Sequence, residues 1–271
     1  VLSRRQRQMC IRDRCRGIAL TLYRYFRRRY KSLLDPIIGE QIQWPCDLPQ
    51  DFIDSLLEIA VIKTGIHSLE ITKKFQNLPG VFYILTGSAG ICFSTENLKS
   101  LSGGVVGKGD WIGALSVHVD YNLFAIAEEV EPITMVLFPS DKILELAEKK
   151  CMVFKWLLHS GAKAQSIWIQ AFLSSIHEKE QKTIYVLLEL AARQTNIAGA
   201  TLSINISQSQ LSTITGISRP RLNEVLKGIE QLGMVKIQRG KVFISDVEGL
   251  YERISPMNLM IRDPMAKMKP Q

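Results

Sequence analysis

The sequence predicts an α+β protein built from a small β-roll, a long helix and a C-terminal winged helix-turn-helix. Three observations carry that prediction. From Ala60 to Phe138, short runs rich in β-branched and aromatic residues alternate with Gly, Ser and Asn turns, the pattern of a compact all-β unit. From about Met152 to His177, apolar and small residues recur at steps of three and four with no proline, as an amphipathic helix requires. From Ser207 to Ser245 there follow a capped short helix, a glycine turn, a second amphipathic helix and two alternating strands.

The bulk properties set the limits. A chain of 271 residues can hold two ordinary domains. Apolar residues make up 46% and charged residues 22%, a globular balance, and no apolar run approaches the length of a membrane span. The net charge is +8, but residues 1–31 hold ten Arg and one Lys against one Asp, leaving 23 basic and 25 acidic residues elsewhere. Overall basicity is therefore no argument for nucleic-acid binding; local pattern has to be. The run Ser3–Arg14 resembles translated adapter sequence, so residues 1–31 are expected to be artefactual or disordered and are set aside. If genuine, Gly17 to Lys31 would form a basic amphipathic helix able to touch membrane or nucleic acid. The five cysteines (Cys10, Cys15, Cys46, Cys92, Cys151) are scattered and odd in number. They read as reduced thiols of a cytoplasmic protein, with no metal or other cofactor expected.

The roll is expected over residues 32–140, with a lead-in helix around Asp51–Ile59. Its runs include Gly80–Ser88, Ala89–Phe93 and Pro132–Phe138, and Gly103-Gly104 sits where a hairpin would need positive φ. Helices occupy 141–179. The first, carrying Ile143, Leu144, Leu146 and Ala147, ends near Lys150. The second is the long one, with Phe154, Leu157, Leu158, Gly161, Ala164, Ile167, Trp168, Ala171 and Phe172 along its apolar side. Its small residues Gly161, Ala164 and Ala171 admit two readings, a close-packed dimer seam or packing on the protein's own domain. Glu178–Lys182 reads as a polar hinge and Thr183–Arg193 as another helix.

Residues 180–250 form the winged helix, followed by a tail over 251–271. Ser207-Gln-Ser-Gln210 is a capping box, Leu211 and Ile214 give the first helix a buried face, and Gly216-Ile-Ser218 makes the turn. Ser218 is placed to cap the next helix and Pro220 falls in its first turn, where its missing N–H is harmless. Leu222, Val225, Leu226, Ile229 and Leu232 line one face and Gly233 stops the helix. The opposite face carries Arg219, Arg221, Glu224 and Lys227, with Ser207, Ser218, Pro220 and Asn223 at the same surface. Arg219 suits a bidentate contact with guanine, worth about 1–3 kcal/mol of discrimination, while Arg221 and Lys227 suit phosphates. Strands Met234–Gln238 and Val242–Ser245 frame Arg239-Gly-Lys241, two cations at a wing tip. Double-stranded DNA is the expected partner. No nucleophile–base pair, metal cluster or paired carboxylates point to an enzyme, and Gly103–Lys108 lacks the spacing of a phosphate loop.

These motifs resemble the Crp/Fnr family, that of the cyclic-AMP receptor protein. The resemblance rests on Ile206-Ser-Gln-Ser-Gln-Leu211, Gly216-Ile-Ser-Arg219, Leu226, Leu232-Gly233, Gly240-Lys-Val-Phe-Ile244 and Asp246, and in the roll on Phe82–Gly87 and Gly107–Gly113. It implies a cyclic-nucleotide-binding-like roll, a homodimer joined along the helix at 152–177, and regulation of transcription with RNA polymerase as a candidate partner. It also implies an effector pocket at Gly113, Ala114, Leu123, Phe124 and Ala125. There the chain departs from the family. Ala114 stands where cyclic-nucleotide binders place the ribose-binding Glu, and Leu123-Phe124-Ala125 stands where Arg-Ser/Thr-Ala holds the phosphate. A buried phosphate without a cation is strongly disfavoured, so cyclic AMP is not expected to be the effector, whose identity stays open. In the recognition helix Pro220 and Glu224 replace the archetype's Glu and Arg, so a different operator is expected. The alternative is a cyclic-nucleotide or other small-ligand sensor module regulating a protein partner.

Overall fold

The computed structural model describes residues 38–69, 78–93, 103–118, 125–193 and 202–268. The basic segment 1–31, the pocket positions Leu123 and Phe124 and the end of the tail lie outside the described residues. The chain forms two compact units, 1–43 and 44–271, and the second holds the roll, the long helix and the winged helix.

The helix α1 (Gln50–Ile59) leads into the roll, a five-stranded antiparallel sheet of β1 (Val61–Thr64), β2 (Gly80–Phe93), β3 (Gly104–Gly107), β4 (Trp111–Ile112) and β5 (Ala125–Pro139). The strand order is β1-β5-β2-β3, with β4 also paired to β2. The runs read as separate at Gly80–Ser88 and Ala89–Phe93 are one strand. Irregularities in register between Ile84 and Ala89 let β2 bend without ending. The strand β5 likewise extends N-terminally of Pro132 through Glu128, Glu129 and Glu131, whose carboxylates hide the strand signal in the sequence.

Successive side chains of a strand point to opposite faces, and β2 buries both. Phe82 and Ile84 enter one core with Val106, Ile112, Met135, Leu137 and Ile167. Tyr83 faces the other way onto Trp111, with ring centroids 4.9 Å apart. Trp111 also meets Phe138 and Trp156, each at 5.9 Å, and this aromatic layer seats the long helix on the sheet.

Gly103-Gly104 is not a left-handed turn, because neither residue is among the glycines of positive φ and Gly104 pairs with Ile91 in the ladder. Close approach is what requires glycine there: a Cβ on Gly104 would lie 2.7 Å from Ile167, and one on Gly103 would strike Cys92.

The helix α2 (Ser140–Ala147) is followed by the long α3 (Met152–Ser175), two residues shorter than the predicted span. Gly161, Ala164 and Ala171 are buried against their own chain, Gly161 facing Leu115 and Ala114. The small-residue stripe therefore serves intramolecular packing. The exposed apolar side chains of α3 are instead Phe154, Leu158, Ile169 and Phe172, with Ile176 just past its end. The helix α4 runs Lys179–Ala191 with Glu178 at its N-cap, so the expected polar hinge is mostly the first turn of this helix.

The winged helix consists of β6 (Ser203–Ile204), α5 (Gln208–Thr215), α6 (Arg219–Gln231), β7 (Val235–Gln238), β8 (Lys241–Ile244) and α7 (Val247–Arg253), with its sheet ordered β6-β8-β7. Its core takes in Ile184, Leu187, Leu211, Ile214, Leu222, Leu226 and Ile229, and also Cys92 and Val105 of the roll. Residues 251–268, which the sequence presents only as a tail, complete α7, bury Ile254 and Met257, and end in α8 (Pro264–Met268).

Candidate nucleic-acid interface

The interface is built from the turn between α5 and α6. Ser207 closes a full capping box: its Oγ accepts from the Gln210 backbone N–H at 3.2 Å and its own N–H donates to Gln210 Oε1 at 3.0 Å. The Ser207 hydroxyl also donates to Gln210 Oε1, at 2.8 Å. Its single proton is thus engaged inside the motif, which places Ser207 as the cap holding α5 in register. Gly216 ends α5 at φ 64° and ψ 19°, a left-handed conformation that costs glycine nothing and a β-branched residue a great deal. Thr215 Oγ1 donates back to Leu211 O at 2.7 Å and Ser212 Oγ to Ile217 O at 2.6 Å, fixing both sides of the turn.

Ser218 holds the N-cap position of α6 with extended backbone, but its side chain makes no capping hydrogen bond. The expected side-chain cap is absent, and Pro220 within the first turn removes one donor that would have needed it. Leu222, Leu226 and Ile229 are buried as predicted, whereas Leu232, expected on that face, is 54% exposed. The helix stops at Gln231, so Leu232 leaves the 3.6-residue stripe before its turn comes round.

The outward face of α6 presents Arg219, Arg221, Glu224 and Lys227, all exposed. Asn223 is half-buried, its Oδ1 turned toward Gln208 Nε2 at 3.4 Å. In the wing, Gln238 pairs with Lys241 across Arg239-Gly240, so the loop is a two-residue hairpin with Arg239 and Lys241 both exposed at its tip. Among the described residues, none of Arg219, Arg221, Lys227, Arg239 and Lys241 has an acidic partner within ion-pair distance. Free guanidinium and ammonium groups at a helix N-terminus and a hairpin tip can reach a polyanion without first breaking an ion pair.

One residue that sequence reasoning missed ties the wing to the recognition helix. Glu230 Oε1 accepts from the Ile237 backbone N–H at 2.7 Å, and Met234 and Gly233 N–H groups bond back to Ile229 and Glu230 carbonyls. A carboxylate near the end of a helix looks like a solvated surface charge in sequence; only the tertiary turn shows its acceptor role.

Residues 181–253 match the family model of the Crp-like helix-turn-helix domain. The C-terminal domain is a Crp-like helix-turn-helix. The fold agrees with it over most of the chain. A protein assigned to the Crp/Fnr family of transcriptional regulators from Eubacterium rectale is similar at a TM-score of 0.59 and 13% identity, over 79% of this chain and 99% of that one. The c-di-GMP-responsive global regulator CLP of Xanthomonas campestris gives 0.55 and 13%, over 72% and 99%. FixK2 from Bradyrhizobium japonicum gives 0.52 and 15%, over 72% and 96%. No curated protein matches the chain. The resemblance drawn from motifs thus holds by family model for the Crp-like domain and by structure for the β-roll, long helix and winged helix together.

Of the pocket positions, Gly113 has φ 88° and precedes a 3-10 turn in which Ala114 is buried. Ala125 opens β5 and is buried too. Among the described residues of the roll, Asp110 is the one buried charged side chain, and the described residues contain no group of three His, Cys, Asp or Glu able to hold a metal ion. No helix among them is long and apolar enough to cross a membrane.

Proposed function

We propose that the protein is a sequence-specific DNA-binding transcription regulator of the Crp/Fnr type, acting in the cytoplasm as a homodimer and without cyclic AMP. The observation that carries the reading is the exposed set Arg219, Arg221 and Lys227 on α6 with Arg239 and Lys241 on the wing, without an acidic partner among the described residues, mounted on a Crp-like helix-turn-helix. Arg219, at the first position of α6, reads a base edge in the major groove; Arg221, Lys227 and the wing cations hold phosphates. Ser218, Pro220, Asn223 and Glu224 shape the same end of the helix, and Glu224 can accept from a cytosine amino group.

Dimerisation is supported by α3. Phe154 and Phe172, 53% and 69% exposed, are 18 residues apart, five whole turns of 3.6 residues, and Leu158 and Ile176 repeat the interval one turn later. Four large apolar side chains in one line of solvent match a helix seam between two copies. Each protomer would then read one half of a roughly palindromic site.

Independence from cyclic AMP is supported by Ala114, an alanine where the ribose-binding carboxylate would stand, and by an interior of Phe82, Ile84, Met135 and Leu137. Selection of bound DNA from a random duplex library tests the function: enrichment of a palindromic motif supports it, and recovery of unrelated sequences rejects it. Calorimetry with cyclic AMP tests the effector, where saturable micromolar binding would overturn the cyclic-AMP-independent reading.

A further inference from the structure

Arg262, in the segment after α7, is almost fully buried and reaches two other parts of the molecule. Its Nε donates to Glu189 Oε2 of α4 at 3.1 Å. Its Nη2 donates to both carboxylate oxygens of Asp110, between β3 and β4, at 2.9 and 3.2 Å, and to the Val105 carbonyl of β3 at 3.4 Å. Arg193, just past α4, donates from Nε and Nη2 to Asp110 Oδ2 at 3.2 Å and pairs through Nη1 with Glu189. Two guanidinium groups and two carboxylates, with side-chain exposures of 1, 9, 7 and 2%, so form a charge-balanced knot. It joins the roll, the first helix of the DNA-binding domain and the C-terminal segment. Burial, and then the carboxylates of Glu189 and Asp110, hold the Tyr185 hydroxyl above its ordinary titration range beside it, against the opposing pull of Arg262.

The rest of the segment is anchored on the long helix α3 and on the winged helix. Gln170 Nε2 of α3 donates to Asn258 O at 2.9 Å, Tyr251 donates to Asp263 at 3.1 Å, and Met257 is buried in the winged-helix core. Polar ties also link α5 directly to the roll, among them Gly103 N–H to Ile214 O at 2.8 Å, Cys92 Sγ to Thr213 O at 3.3 Å and to Ile214 O at 3.7 Å, and Gln210 Nε2 to Glu129 O at 2.8 Å. Gly90 makes room for the Ile214 side chain, which a Cβ there would strike.

We propose that residues 254–268 are a strap that holds the winged helix against the β-roll, and that releasing Arg262 from Asp110 and Glu189 lets the two move apart without unfolding either. A binding event that pulled the strap away would then change the orientation of the DNA-reading face. Such buried knots are sensitive to loss of one member, because the remaining charges lose their compensation.

The seam supplies its own probes, neither of which needs DNA, so failure of the strap and failure of the DNA reading are separate results. Burial pushes the Cys92 thiol up to about 12. Return to its ordinary value on opening raises the thiolate fraction at pH 8 about a thousandfold. The experiment compares the full chain with Arg262→Ala by residue-resolved iodoacetamide labelling of Cys92 and amide hydrogen exchange at Gly103. The expected result is at least a tenfold faster reaction at both probes, with β2–β5 ladder amides exchanging as in the parent. Unchanged rates at Cys92 and Gly103 would overturn the proposal. So would acceleration shared equally by the ladder, which would make the knot ordinary structural glue. If Arg262→Ala does not fold, Arg262→Lys, which keeps the charge and loses the planar fork, is read with the same probes and the same two limits.

Discussion

Arg239 and Lys241 stand at the tip of a two-residue hairpin with no acidic neighbour in ion-pair range among the described residues, and the consequence at this scale is a salt dependence. Each phosphate contact releases about one counterion, so Lys241→Ala should weaken binding to all duplexes alike and reduce the log–log salt slope by about 1. Binding titrations at several salt concentrations check this; an unchanged slope would place the wing away from the backbone. Cys92 makes a second residue-level prediction. Its folded pKa lies above its unfolded value, near 9, so its contribution is complete below that pH. It is lost as pH rises toward about 12, at about 1.4 kcal/mol per pH unit through that window. Urea melts from pH 8 to 10.5 should show the parent losing stability faster than Cys92→Ala above pH 9. Parallel curves would mean that the thiol titrates equally in both states.

The capping box at Ser207 was legible in sequence because it acts locally, whereas the side-chain cap expected at Ser218 does not form. A capping box needs four consecutive residues, and a glycine turn announces itself between two periodic runs. What needed tertiary structure was anything whose partner lies far along the chain: Glu230 as the acceptor for Ile237, or Gly103-Gly104 as a close-approach site and not a turn.

Elements show the same division. The period of α3 was readable, but periodicity alone cannot say which stripe meets its own sheet. The structure gives Gly161, Ala164 and Ala171 to the roll and leaves Phe154, Leu158 and Phe172 in solvent. A charge placed in the exposed line should therefore break the proposed dimer and spare the fold. Leu158→Glu should sediment as a monomer with an unchanged circular dichroism spectrum, while Ala164→Glu should unfold the protein. A Leu158→Glu protein that remains dimeric would move the seam elsewhere. The β2 strand was under-read for a different reason. Two of its register irregularities between Ile84 and Ala89 fall at Gly87 and Ser88, residues that in sequence spell a turn. In α5, Ser207→Ala removes one capping bond and should cost about 1 kcal/mol in thermal unfolding.

The whole molecule is more integrated than its succession of domains suggests. Cys92 and Val105 belong to the same core as the helix-turn-helix, and the C-terminal segment crosses back to both halves through Arg262. Sequence reasoning placed the roll, the long helix and the winged helix in the right order. It could not see the knot of Asp110, Glu189, Arg193 and Arg262, since four charges spread over 153 positions carry no local pattern. At this scale the reading of the molecule is one DNA-reading face whose orientation the roll and strap hold in place.

Sequence-specific binding as proposed requires α6 to read bases through its first residue. Fluorescence-anisotropy titrations of the parent and Arg219→Ala on a library-selected duplex and on a scrambled duplex, at one salt concentration, test it most directly. The expected result is that Arg219→Ala loses about 5- to 150-fold in affinity for the selected site, as about 1–3 kcal/mol of base discrimination implies. Its binding to the scrambled site should fall much less. Equal affinity of parent and Arg219→Ala for the selected site would contradict the claim that this helix is the recognition helix.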